Sequence, residues 1–315
     1  MRYIYGPVPS RRLGLSLGID IIPKLTCTFE CIYCQLGKKQ QHVSNWHGLV
    51  FPDTDKIIQE VKDVLKTNTT IDYLTLAGSG EPTLNPNIET IIDQLRQFNL
   101  PIALITNSSL LHYEYVFTAA TTCDLVVPSL DAGDEKTFES INNPAGSIKL
   151  HTIVDALKKM CKYAKGQVWL EIMLIEGTDT NCTTNSIKSI IKQVNHILPT
   201  KVQLNTCVRP PNNLGIFPLS QKKLEEMRKI FEREVNPTVK VEVVPYDAAK
   251  YSIPRIDAYV QSMKNMLQIR PSTVDDLSNS FGISLHEVIK NLEILKKSEI
   301  VVKKEKEGKI FYFIE

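Results

Sequence analysis

Three regularly spaced cysteines are the residues of this sequence with the most distinctive chemistry. Cys27, Cys31 and Cys34 follow the first predicted strand with the spacing C-x3-C-x2-C. Cysteine thiolates hold [4Fe–4S] clusters, usually four to a cluster, so a cluster on these three would leave one iron open to an exogenous ligand. A structural zinc site ordinarily takes four ligands in paired spacing, and no second C-x2-C is present. Three thiols in a short polar loop would also make a poor hydrophobic core.

A glycine-rich turn with a carboxylate follows the second predicted strand. The segment Gly78-Ser79-Gly80-Glu81-Pro82-Thr83 combines glycines, which allow the backbone to approach a ligand closely, with a carboxylate that can accept charge-assisted hydrogen bonds from an ammonium group. The same residues would also make a plain turn. The segment therefore indicates a ligand site only in combination with the cysteines.

Polar residues also follow the later predicted strands. Asn107 follows the third strand and either faces a ligand or caps the next helix, and Ser129 with Asp131 follows the fourth, where an Asx turn is the alternative. Three further polar side chains lie on the fifth and sixth strands: Glu171, Gln203 and Asn205. Gln203 and Asn205 share one face of their strand because side chains alternate. Arg209, just beyond, and the N-terminal pair Arg11 and Arg12 could bind anionic groups or form ordinary salt bridges.

Strands and helices alternate six times along residues 18–234, which predicts parallel strands joined by helical crossovers. The predicted strands cover residues 18–22, 72–77, 101–106, 124–129, 167–175 and 201–207, with one more at 239–245. The predicted helices cover residues 55–65, 88–95, 113–120, 147–163, 185–197 and 220–234. Such units form an open, partial barrel or a doubly wound sheet, and in both the carboxyl ends of the strands carry the chemistry. We expect an α/β fold built as a partial (βα)6 barrel.

The pattern changes near residue 255, which predicts two domains, residues 1–255 and 256–315. Helices at 256–267, 273–279 and 285–297 precede a hairpin of strands at 300–304 and 309–314. This order resembles a winged helix–turn–helix module. Residues 256–315 carry nine Lys or Arg and nine Asp or Glu, whereas DNA readers usually carry a basic footprint. DNA binding is therefore weakly supported, and RNA docking, protein docking or a lid over the barrel mouth are alternatives.

The motif C-x3-C-x-aromatic-C, with Tyr33 as the aromatic residue, resembles the signature of the radical S-adenosylmethionine (SAM) family. The resemblance implies that SAM chelates the open iron and is cleaved by one electron to a 5′-deoxyadenosyl radical that abstracts hydrogen from a substrate. It also implies SAM contacts by Tyr33, by Gly78, Gly80 and Glu81 with the amino group, by Asn107, and by Ser129 and Asp131 with the ribose. Asn205, on the polar face of the sixth strand, is a further candidate SAM contact. Ser79 departs from the family's Gly-Gly-Glu motif, and Ser108 stands where the family has glycine.

The segment Tyr5–Gly14 resembles a branch of this family with mostly unassigned substrates, similar to the enzymes that form wyosine on transfer RNA. The substrate implied is RNA, a peptide or a small molecule, and the electron donor a protein such as flavodoxin or ferredoxin. An iron–sulfur, redox-sensing DNA-binding regulator without SAM chemistry is the alternative hypothesis, and a structural zinc protein is a third. Under the enzyme hypothesis, Glu81→Ala should weaken SAM binding and leave the cluster intact.

Composition limits these possibilities. The 315 residues carry a net charge of +2, which excludes a chain-wide basic field for nucleic acid. No apolar run is long enough to span a membrane, and the N-terminus lacks the apolar core of a signal peptide. We therefore expect a cytoplasmic protein, and the family resemblance implies that it is oxygen-sensitive. Four cysteines without paired spacing are expected in the core: Cys123, Cys161, Cys182 and Cys207.

Overall fold

The computed structural model describes residues 3–36, 39–66, 70–146, 148–209, 211, 213, 215–245, 259–281, 285–298, 301–306 and 308–314. The strands are β1 Ile4–Pro9, β2 Leu15–Ile19, β3 Thr26–Cys27, β4 Gln41–His42, β5 Tyr73–Leu76, β6 Ile102–Thr106, β7 Leu125–Pro128, β8 Gln167–Met173, β9 Ile175–Gly177, β10 Lys201–Asn205, β11 Ile216–Pro218, β12 Lys240–Val243, β13 Val301–Lys306 and β14 Lys309–Ile314. The helices are α1 Thr54–Leu65, α2 Ile88–Leu95, α3 Glu114–Thr121, α4 Glu135–Asn142, α5 Leu150–Tyr163, α6 Thr184–Ile197, α7 Gln221–Glu234, α8 Tyr259–Ile269, α9 Val274–Phe281 and α10 Leu285–Ser298.

Eight strands form the main sheet in the order β1-β2-β5-β6-β7-β8-β10-β12. All neighbours are parallel except β1 and β2, which are antiparallel. The parallel strands therefore stand in chain order, without the reversal of a doubly wound sheet. The predicted α/β fold with a parallel sheet is confirmed. Within the described residues the edge strands β1 and β12 do not pair, so the sheet is open.

The helices that follow the strands are amphipathic, and four of them, α1, α4, α6 and α7, begin at a side-chain cap. In α2 the buried residues are Ile88, Ile91, Ile92 and Leu95, a spacing that places one apolar stripe against the sheet. Each fully buried side chain of this kind is worth about 1.5–3 kcal/mol relative to exposure. Helix α6 begins where the Thr183 side chain accepts from the Ser186 amide, and α7 where Ser220 caps Lys223. These elements fix where the strand ends lie.

Four differences between the predicted and the observed elements concern strands β1 and β2 and helices α4 and α5. The first parallel strand is Leu15–Ile19 rather than 18–22, because its polar Ser16 is paired with Thr75 at 2.7 Å and Gly18 lies under the Tyr5 ring. Edge strand β1 was missed because it contains two prolines, which edge strands tolerate. The helix expected over 147–163 begins at Leu150, residue 147 lies outside the described residues, and the preceding α4 was not predicted.

The elements from α8 to β14, here called the C-terminal module, follow the predicted order of helices and hairpin. The module packs on the sheet edge, because Val8 of β1 shares a core with Met263, Leu277 and Phe281. The predicted domain boundary near residue 255 lies outside the described residues. The winged-helix assignment and the two-domain division stay predictions. In the part of the chain described here, no helix is both long and apolar enough to cross a membrane.

Candidate active site

The cysteine motif lies in the loop that follows β2. Cys27 ends β3 and is buried, whereas Cys31 and Cys34 are half-buried. All three thiols are free. Among the described residues, no three His, Cys, Asp or Glu side chains are grouped as ligands of a single metal ion. A [4Fe–4S] cluster differs, because each of its cysteines binds a different iron.

Each motif sulfur accepts a hydrogen bond from another segment of the chain. The donors are Asn107 Nδ2 to Cys27 Sγ at 3.5 Å, Asn142 Nδ2 to Cys31 Sγ at 3.5 Å, and Lys39 Nζ to Cys34 Sγ at 3.2 Å. Such donors stabilise negative charge on sulfur and tune the potential of a bound iron–sulfur cluster. The donor set therefore fits an anionic thiolate cluster.

Burial makes two of the motif thiols, Cys27 and Cys31, hard to deprotonate. Burial raises the pKa of Cys27 to about 12, against the opposing charge of Lys39, and burial also raises the pKa of Cys31. Burial alone would lower the pKa of Lys39, but the Cys34 and Cys27 sulfurs outweigh it and the net shift is upward. Loading a metal cluster must therefore release protons from Cys27 and Cys31, and the charged form of Lys39 is favoured beside them.

The two predicted glycines are required by packing within the chain. A Cβ on Gly80 would lie 1.8 Å from the Thr26 carbonyl oxygen, and one on Gly78 would lie 2.4 Å from the Asp20 side chain. Asp20 in turn accepts a hydrogen bond from the Ser79 amide at 3.1 Å, and burial raises its pKa to about 6. The turn after β5 therefore sits directly against the segment that leads into Cys27.

Glu81 joins the ends of two neighbouring strands. Its carboxylate is buried and accepts from the Thr83 amide and hydroxyl at 3.0 and 2.6 Å, from the Thr106 hydroxyl at 2.7 Å and from the Asn107 amide at 2.7 Å. Burial nevertheless raises its pKa. Asn107, held this way, donates to Cys27 and to Thr28 Oγ1. Glu81 thus positions a cysteine donor, and its predicted contact with SAM stays a prediction.

Asp131 and Tyr33 lie together, as residues of one predicted site would. Asp131 is buried and accepts from Tyr33 Oη at 2.5 Å, Asn142 Nδ2 at 2.7 Å and the Met173 amide at 2.8 Å. Burial raises its pKa to about 6. Ser129, two residues earlier, pairs with the Glu171 backbone in an isolated bridge. The ribose contact predicted for Asp131 stays a prediction, and its observed partners hold the cysteine loop.

A cavity of about 410 Å³ opens at the carboxyl ends of the strands. Six of the predicted site residues line it: Tyr33, Cys34, Gly78, Gly80, Ser129 and Asn205. The other five, Cys27, Cys31, Glu81, Asn107 and Asp131, are not among its lining residues. The structure therefore brings all of them to one edge of the sheet, but it separates a layer facing the cavity from a layer that supports it.

Several polar residues of the strands and of the N-terminal segment had no role assigned from the sequence. They also divide into residues that line the cavity and residues that do not. Arg12 lines the cavity and forms an ion pair with Glu171 at 2.7 Å. Arg11 also lines it and donates to Asn205 Oδ1 at 3.0 Å. Gln203 instead donates to Glu242 of the neighbouring strand at 2.7 Å and is not a cavity residue.

Sequence reasoning missed Lys39, Asn142 and the contribution of the C-terminal module. Lys39 lies in a short lysine run that is typical of a solvated loop, and Asn142 ends the unpredicted helix α4. Arg270, Asp276 and Ser280 of the module line the cavity. The module's capping box, Thr273-x-x-Asp276, could have been recognised, but it indicates a helix start and not a position beside the cysteines.

Comparison with known proteins identifies the family. A model described as the radical SAM superfamily matches residues 21–189, a little over half of the chain, including all three motif cysteines and the Glu81 turn. The chain belongs to the radical SAM superfamily. Members of the radical SAM superfamily use a [4Fe–4S] cluster and SAM, which agrees with the predicted cofactors.

Individual relatives of this radical SAM chain extend beyond that match. A protein named GTPase Obg from Brachyspira hyodysenteriae is 38% identical over 93% of the chain, which spans only 42% of that protein's length. UPF0026 protein MJ1312 of Methanocaldococcus jannaschii is 31% identical over 99% of this chain and 96% of its own. A structure of TYW1 with a lysine–pyruvate adduct bound has a TM-score of 0.54 at 14% identity, covering 73% of this chain and 76% of that one. The last similarity concerns the fold alone.

Proposed function

We propose that this chain is a radical SAM enzyme in which Cys27, Cys31 and Cys34 hold a [4Fe–4S] cluster and the fourth iron binds SAM. The observation that carries the proposal is that all three sulfurs have hydrogen-bond donors, beside a cavity that Cys34 itself lines. Once bound and reduced by one electron, the two groups would supply a 5′-deoxyadenosyl radical that abstracts hydrogen from a substrate.

The chain's own residues would hold the cofactors and exclude water. Asn107, Asn142 and Lys39 would offset the negative charge of the ligating sulfurs. Gly78, Gly80, Tyr33, Ser129 and Asn205 line the space next to Cys34, where SAM would lie. Glu81 and Asp131 would act behind them, because their oxygens already accept hydrogen bonds from the protein.

The substrate would enter the same cavity, at the carboxyl ends of the strands. Because α9 lines one side of that cavity, we propose that the C-terminal module acts as a wall or lid of the site rather than as a DNA reader. The remaining parts of the proposal are a partial (βα)6 barrel over residues 1–255, a winged helix–turn–helix over 256–315, and a protein electron donor such as flavodoxin or ferredoxin.

The test is anaerobic formation of 5′-deoxyadenosine. The protein would be reconstituted with iron and sulfide, reduced with dithionite and given SAM, and the nucleoside would be quantified. The triple variant Cys27/Cys31/Cys34→Ala should give none. A matched triple variant at the cysteines away from the motif, Cys123/Cys161/Cys182→Ala, should retain the product. No nucleoside and no SAM binding by the cluster-loaded wild type would overturn the proposal in favour of the cluster-sensing regulator.

A further inference from the structure

The C-terminal module is tied to the loop that follows β10. Arg209 Nε donates to the Pro271 carbonyl oxygen at 3.0 Å, between α8 and α9. Lys306 Nζ of the hairpin donates to the carbonyl oxygens of Cys207 at 2.8 Å and Arg209 at 3.2 Å. Three hydrogen bonds therefore fix the module's position over one side of the cavity, and they bring Arg209 next to Arg270.

The described lining of the cavity is rich in positive charge. It contains four guanidinium groups, those of Arg11, Arg12, Arg209 and Arg270, and two carboxylates, those of Glu171 and Asp276. The charge of Glu171 is neutralised by its ion pair with Arg12. Asp276 is left to offset both Arg209 and Arg270, and their two guanidiniums lower its pKa although burial opposes this. The cavity therefore holds more positive than negative charge.

Two buried hydrogen-bond donors of the module are unpartnered among the described atoms. Arg270 Nε and the Ser280 hydroxyl both have almost no solvent-accessible surface and no hydrogen-bond partner, and both residues line the cavity. Burial and the neighbouring Arg209 lower the pKa of Arg270 to about 9, against the charge of Asp276. Buried donors are normally satisfied, so these two indicate an acceptor that occupies the cavity.

We propose that Arg209, Arg270 and Ser280 bind a phosphate monoester of a small-molecule substrate. Guanidinium groups bind phosphate and carboxylate oxygens bidentately. The described cavity lining has two more guanidinium groups than carboxylates, and a phosphate monoester carries two negative charges on a single group. The volume of about 410 Å³ lies within the range of small-molecule sites. This assignment rests on the proposed function, in which SAM binds in the same cavity beside Cys34.

The test is calorimetric binding of inorganic phosphate to the cluster-loaded full chain at low ionic strength. Saturable one-site binding is expected, weakened about tenfold or more in Arg270→Gln, since a hydrogen bond to a charged group is lost. Gln removes a mutually repelled charge, so the fold should persist. Ser280→Ala gives a second, milder loss, and Arg228→Gln, on α7 and outside the cavity lining, should match wild type. No saturable binding, or equal binding by Arg270→Gln and Arg228→Gln, would overturn the assignment.

Parallel titrations identify other occupants. Tighter binding of succinate than phosphate would overturn the phosphate in favour of a dicarboxylate, and tighter binding of an RNA oligonucleotide lacking terminal phosphates would overturn it in favour of nucleic acid. Weaker SAM binding in Arg270→Gln would mean that the arginine serves SAM, and would also contradict the assignment. If the protein binds phosphate but forms no 5′-deoxyadenosine, the result would count against the proposed function and would still support the phosphate site.

Discussion

Arg12 and Glu171 form an ion pair in the cavity wall, and removing Glu171 should destabilise the protein more than removing Arg12. The side chains are 13% and 8% exposed, and Arg12 Nη1 lies 2.7 Å from Glu171 Oε1. Removing one partner of a buried pair costs about 3–5 kcal/mol. Glu171→Leu should cost about that much, because it leaves the buried Arg12 guanidinium without its paired carboxylate. Arg12→Leu should cost about 1.5–3 kcal/mol, the value of one hydrogen bond to a charged group, because Asn205 still donates to Glu171 at 2.5 Å.

Urea unfolding of the apoprotein, followed by tryptophan fluorescence, measures both losses. The double variant should be more stable than Glu171→Leu alone, since it leaves one fewer unpaired charge. Although burial raises the pKa of Glu171, Arg12 and its hydrogen bonds bring the net value below the usual one. The stabilisation is therefore present above the unfolded pKa, about 4.3, and is lost as the pH falls through the folded pKa. A loss in Arg12→Leu as large as that in Glu171→Leu, or a gap that persists on acidification, would refute this account.

Three further predictions concern the residues around the cysteines. Gly80→Ala should destabilise the fold by about 2–4 kcal/mol, because the new Cβ overpacks against the Thr26 carbonyl and weakens the hydrogen bond that this carbonyl accepts from the Glu81 amide. Its iron content should also fall. Gly48→Ala, with no atom within 4 Å of the new Cβ, should keep its iron. Tyr33→Phe removes a hydrogen bond that lowers the pKa of Asp131, so this pKa should rise above about 6. The protonated carboxyl stabilises the fold, and this stability is lost as the pH rises through the folded pKa. In the variant the loss should therefore extend to higher pH, as thermal melts from pH 4 to 8 would show. Lys39→Met should lower the cluster's midpoint potential in an EPR redox titration, since it removes a positive donor from the third cysteine; an unchanged or higher potential would contradict that role.

The strands and the cysteine site were predictable because their signals are local. Buried parallel strands are short apolar runs, and the helix predicted over 88–95 matches α2 because its apolar residues repeat with helical spacing. The carboxyl ends of parallel strands meet at one edge of a sheet, so the Cys27 loop, Glu81 and Asp131 could be expected together. Their division into cavity-lining and supporting residues depends on hydrogen bonds that no spacing encodes.

The parts that could not be predicted depend on long-range packing. Arg270 and Ser280 reach the cavity only because the C-terminal module packs on Val8 and is held by Arg209, contacts that join distant ends of the chain. No strand was predicted at β1, because prolines are unfavourable inside strands, and its pairing with β2 makes it one. Gly78 and Gly80 illustrate a third limit, because these glycines were expected to face SAM whereas the structure also requires them for packing against Asp20 and Thr26.

The most direct test of the central claim is the EPR spectrum of the reduced protein with and without SAM. If Cys27, Cys31 and Cys34 hold a [4Fe–4S] cluster with one open iron, the wild type should contain about four irons per chain when fully loaded, and its signal should change on addition of SAM. Each single Cys→Ala variant of the motif should lose the signal, and Cys161→Ala should keep it. A cluster signal that SAM leaves unchanged, or one that survives loss of the motif cysteines, would contradict the account.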